Sequence, residues 1–86
     1  MITSTREGTP YSTTIVFRHP DSYWTLAEVK VWLRMDGLYG VEVNHGTTGA
    51  TSARFARLRA AAVLLASIEA DEIADSLEKQ GYRVMR

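Results

Sequence analysis

The chain has no cysteine. Disulfides, thiolate metal sites and cysteine nucleophiles are excluded together. The absence also fits a reducing compartment, and a cytoplasmic setting is expected. A long apolar run is missing too: nothing approaches the roughly 18–20 residues of a membrane span. The opening residues, MITSTREGTPYS, contain no apolar core. They read as a polar, flexible tail over residues 1–11 rather than a secretion leader. An excess of charge is lacking as well, since ten basic residues balance ten acidic ones and only two of the former are lysine. No global field therefore draws the chain to nucleic acid or to a membrane.

Catalytic signatures are equally scarce. His19 and His45 lie far apart in the chain with no obvious third ligand, so neither a metal nor another cofactor is expected. No Walker loop, dinucleotide fingerprint or nucleophile elbow is present. The acidic pairs Glu69/Glu72, Asp71/Asp75 and Glu72/Asp75 read as one solvated helix face. A binding protein is expected rather than an enzyme.

The 86 residues allow one small domain, assigned to residues 12–86. A core this size is marginal and gains from a second subunit. Ser12–Arg18 (STTIVFR) is β-branched and aromatic and reads as a strand; His19–Tyr23 reads as a Pro-Asp turn. From Ala27 the chain alternates, with Ala27, Val29, Val31 and Leu33 on one face and Glu28, Lys30, Trp32 and Arg34 on the other. Met35-Asp36-Gly37 then signals a hairpin into LYGVEVN.

The register of that hairpin follows from burial. A two-residue loop splits the apolar residues between both faces. A three-residue loop pairs Arg34 with Leu38 and sets Val29, Val31 and Leu33 opposite Val43, Val41 and Tyr39. Lys30 then faces Glu42, and Trp32 lies over Gly40. A slip of one residue inverts every side chain, so the second register is expected. It calls for a left-handed Gly37. The opposite sheet face would carry Trp24, Leu26, Trp32 and Arg34, residue types enriched at binding hot spots. This is the first candidate partner surface.

Thr51 or Ser52 can cap a helix whose stripe Phe55, Leu58, Ala62, Leu65 and Ala66 faces the sheet. A second apolar stripe, Ala61, Leu64 and Ile68, needs its own cover, either the acidic helix that follows or the same helix of another subunit, and a symmetric homodimer through it is expected. Ser67, followed by Glu69, Asp71 and Glu72, reads as the cap of a second, acidic helix, with a single kinked helix as the alternative. Gly81 suits that helix's end, and YRVMR reads as a short last strand. The expected fold is α+β: an antiparallel sheet of three to four strands in the order β-β-β-α-α-β, with helices on one face.

Two resemblances bear on function. Ser52-Ala53-Arg54-Phe55-Ala56-Arg57 resembles the S-K-K-x-A-K helix opening of double-stranded-RNA-binding domains. The resemblance implies phosphate contacts by Arg54 and Arg57. It covers about half the chain, Ala53 replaces one basic position, and the family's first helix has no counterpart. The Gly46-Thr47-Thr48-Gly49 loop would add backbone N–H groups to such an anion site. In size and composition the chain also resembles the small accessory proteins of phages of high-GC hosts, which bind and inhibit a host protein. The leading expectation is therefore a non-catalytic protein-binding module of that kind. Nucleic-acid binding through Gly46–Ser52, Arg54 and Arg57 is the alternative.

Overall fold

The β3–β4 hairpin has the register that burial demands. In the computed structural model, which describes residues 1–9, 12–22, 24–34, 36–46 and 52–85, β3 is Thr25–Leu33 and β4 is Tyr39–His45. Val29 pairs with Val43, Val31 with Val41, Lys30 with Glu42 and Trp32 with Gly40. The turn closes with Arg34 N–H donating to the Leu38 carbonyl (2.8 Å) and Gly37 N–H to the Arg34 carbonyl (3.1 Å). Gly37 has φ +81°, the left-handed conformation that a side chain would strain. Lys30 sits across from Glu42, but its ammonium pairs along its own strand, 3.6 Å from Glu28.

Two strands precede this hairpin. The β2 strand, Ser12–Arg18, pairs antiparallel with β3, and β1, Thr3–Thr9, pairs antiparallel with β2 from Thr3↔Arg18 to Thr9↔Ser12. The expected tail is thus an edge strand. It escapes apolar patterning because residues 3–8 are exposed on both faces, and only Ile2 beside it packs against the core. Polar edges of this kind discourage further strand addition.

The expected break at Ser67 does not occur. A single helix, α1, runs Ala53–Lys79. The Ser67 hydroxyl donates to the Val63 carbonyl one turn back (2.8 Å), a bond that leaves the helix unbroken. The residues most deeply buried on α1 are Phe55, Ala62, Ala66, Ala70 and Ala74. Steps of four residues advance the stripe about 40° each time. The buried face therefore winds away from Glu69, whose carboxylate instead lies 3.6 Å from Arg6 of β1. Ser52 caps the start, its hydroxyl accepting from Phe55 N–H (3.1 Å). Gly81 ends it at φ +94°, with Gly81 N–H on the Glu78 carbonyl and Tyr82 N–H on the Leu77 carbonyl, each 3.0 Å.

One helix reverses the chain once, whereas two would reverse it twice. The last strand, β5 (Val84–Met85), therefore lies parallel to β4, pairing Tyr39↔Val84 and Gly40↔Met85. The sheet is five-stranded and mixed, in the order β1-β2-β3-β4-β5, rather than antiparallel with three or four strands. The fold is α+β with one helix across one sheet face. Ile15, Phe17, Leu26, Ala27, Val29 and Val41 meet Phe55 and the alanine stripe in the core. Leu58, Val63, Ile73 and Leu77 of the helix pack half-buried against this core.

Candidate functional site

Four alanines and Phe55 are the most deeply buried residues of α1, while three of its large aliphatic side chains lie outside. Leu64 is 63% exposed, Ile68 47% and Leu65 44%. A 3.6-residue period places Ala61, Leu64, Leu65 and Ile68 on one outward arc. Leu65, read from sequence as sheet-facing, belongs to this arc. Arg54 and Arg57 continue it toward the N-terminus, Glu72 and Asp75 toward the C-terminus. All four are exposed. The surface is an apolar centre with a basic end and an acidic end.

The four residues expected to form a partner surface on the sheet are not brought together. Leu26 is fully buried. A bulge between Phe17 and Arg18 pairs Phe17 with Ala27 and Arg18 with Thr25. Leu26 is thus the extra residue and turns into the core beside Ala27, breaking the alternation that placed it outside. Trp24 packs edge-on against Phe55 at the start of α1, ring centroids 5.4 Å apart. Trp32 and Arg34 do share the sheet's outer face, with Trp32 across Gly40. The Arg34 guanidinium is held by Asp36 (3.1 Å) and by the Met85 sulfur (3.0 Å). That face is otherwise polar, with Thr14, Glu28, Lys30 and Glu42 at its pairing positions. Among the described residues Val16 is the one deeply buried apolar residue of that face, paired between Thr5 and Glu28.

The chain matches no family model, no curated protein and no solved structure. Function has to be argued from its own surfaces.

Of the expected anion loop, Thr47, Thr48 and Gly49 lie outside the described residues. Gly46 serves close approach rather than positive φ: a Cβ there would run into the Thr25 carbonyl, while Gly46 N–H donates to the Leu26 carbonyl (3.0 Å). Arg54 and Arg57 share the outward arc of α1. Arg59 lies over the Phe55 ring, 5.8 Å from its centroid. His19 is a turn residue, its Nδ1 accepting from Asp21 N–H (3.0 Å) and its ring stacked 6.1 Å from Phe55. Among the described residues no three His, Asp or Glu side chains converge on a point. Nor does any helix there have the length and apolarity to cross a membrane.

A recess runs beside β4. Tyr39 N–H donates to the Arg83 carbonyl of the β5 side (2.9 Å). The two-residue alternation of a strand aims Val41, Val43 and His45 the same way. Beyond β5 no described strand pairs with them. An open groove of about 320 Å³ lies there between Val41, Val43 and the Ser67–Asp71 flank of α1.

Proposed function

We propose that the protein is a non-catalytic protein-binding module that docks through the outward arc of α1. One observation carries this reading. The helix directs alanines to its own sheet and Leu64, Leu65 and Ile68 to water. Scattered exposed leucines are ordinary, but three adjacent large aliphatics on one helix arc form a contiguous patch. Fully burying such a side chain from full exposure is worth roughly 1.5–3 kcal/mol, and these three, 44–63% exposed, have about half of that still to gain, so the patch favours a bound state. The charged ends of the arc supply the polar rim and orientation of a protein interface. Inhibition of a host protein, as in the phage accessory proteins that the chain resembles in style, is one form such docking takes.

The test is a photo-crosslinking residue at position 64, with a second at Glu42 on the outer sheet face as reference. Protein adducts at position 64 that disappear with Ile68→Asp are expected. Equal labelling at both positions would overturn the proposal. Leu64 and Ile68 lie outside the core, so neither substitution should disturb the fold, and circular dichroism checks this.

A further inference from the structure

We infer that the partner of the α1 arc is a second copy of the same chain, bound with the two helices antiparallel. The inference rests on the arc being a docking surface and adds who docks and in which direction. Charge distribution along the helix carries it. From Thr51 to Ala66 the chain has Arg54, Arg57 and Arg59 and no acid; from Ser67 to Glu78 it has five acids and no base. The apolar residues Ala61, Leu64, Leu65 and Ile68 lie between the two halves, on the exposed side.

Such an arc complements itself in one direction only. A parallel pair would set arginine against arginine and carboxylate against carboxylate, which repel. An antiparallel pair sets each basic half on the other copy's acidic half. With the two-fold axis between residues 64 and 65, Leu64 meets Leu65 of the second copy and Ala61 meets Ile68. At the same spacing Arg57 meets Glu72 and Arg54 meets Asp75. Every one of these positions is on the exposed arc. Their separation, 54 to 75, spans roughly 30 Å of helix. The interface is isologous, each contact occurring twice.

The experiment is sedimentation equilibrium on the purified full chain from 1 to 200 µM, at low and at high salt. A dimer is expected, its dissociation constant rising with salt as the Arg–Glu contacts are screened. Leu64→Asp should weaken association by at least about tenfold. Arg57→Glu alone sets a new carboxylate against Glu72 twice, and Glu72→Arg alone sets a new guanidinium against Arg57 twice. Each should weaken self-association several-fold. In a mixture of the two variants the heterodimer sets opposite charges against each other at both contacts, so mixing should restore association, and the double variant Arg57→Glu/Glu72→Arg tests the same complementarity within one chain. It exchanges the two charges and restores both opposite-charge contacts, and a homodimer of near wild-type affinity is expected.

A wild-type chain monomeric at 200 µM overturns the inference. So does a dimer indifferent to Leu64→Asp, or a charge-exchanged double variant that associates no more tightly than either single variant. The crosslink at position 64 separates this failure from that of the broader reading. Adducts to another protein from a chain that stays monomeric overturn self-pairing and leave the docking arc standing. A monomer with no position-64 adduct overturns both.

Discussion

Trp32 lies across Gly40, its direct cross-strand neighbour, so that a Cβ on Gly40 would sit on the six-membered ring of the indole. The ring covers a strand position that has no side chain of its own. Gly40 is buried, and its φ is not in the left-handed range. Any effect of substitution therefore comes from collision rather than backbone strain. Gly40→Ala should destabilise the fold by about 1–3 kcal/mol, the usual range for overpacking. Urea unfolding measures the loss, and tryptophan emission should shift to the red as Trp32 is pushed off the sheet. An alanine variant as stable as the wild type would show that the indole does not rest there.

Residues 1–9 are expected to be structural. The β1 strand covers one edge of β2, Ile2 packs against the core, and Arg6 reaches Glu69 on α1. Deleting these residues would expose the β2 edge, which carries Ile15, Val16 and Phe17. An apolar, unprotected edge is a site of aggregation. The shortened chain should melt at lower temperature and lose solubility on concentration. Unchanged melting and solubility would restore the picture of a dispensable tail.

The sequence made some of this legible and hid the rest for identifiable reasons. The β3–β4 register was readable because only one pairing puts Val29, Val31, Val41 and Val43 on one face, and because Gly37 marks the turn that this pairing needs. In β1, exposure on both faces leaves no apolar alternation to read. Leu26 was misplaced because a bulge changes strand parity, and nothing in TLAEV announces a bulge. Continuity of α1 was obscured because its buried stripe is alanine, a weak amphipathic signal, while Ser67 and Glu69 imitate a cap. The error propagated: two helices imply an antiparallel last strand, one implies the parallel β5. In the candidate site, Ala61, Leu64 and Ile68 were visible by spacing. Leu65 was not, because its spacing from Phe55, Leu58 and Ala62 also fits an inward stripe and it sits at the margin of the arc, 44% exposed.

Ser67 offers a direct test of helix continuity. If Ser67 capped a second helix, Ser67→Ala would cost about 1 kcal/mol. As a mid-helix residue bonded back to the Val63 carbonyl, it is replaceable: alanine's higher helix propensity offsets much of the lost hydroxyl bond. Stability should change by no more than about 0.5 kcal/mol. Amide hydrogen exchange adds a second readout, since the N–H groups of residues 68–70 lack intrahelical partners at a helix start and have them in mid-helix. Protection at these amides equal to that at residues 62–66 is expected; fast exchange confined to them would argue for a break.

Phe55 and Trp24 decide whether the exposed indole at the domain's end is a docking residue or part of the fold. Phe55 is buried under Trp24 and His19, with the Arg59 guanidinium over its ring. It is also the first residue of the helix stripe that reaches the core, and its N–H receives the Ser52 cap. Phe55→Ala should cost about 3–5 kcal/mol, a large part of the 5–15 kcal/mol typical of a small domain. Trp24 is half exposed, so its contribution is smaller. An aromatic edge contact is worth roughly 0.5–1.5 kcal/mol beyond area, and Trp24→Ala should lower stability by about 1–2 kcal/mol. The same variant should leave self-association unchanged, because Trp24 lies outside the α1 arc. Denaturant midpoints and sedimentation read the two quantities separately. A Trp24→Ala variant that keeps full stability and loses association would return the docking role to this indole and take it from Leu64 and Ile68.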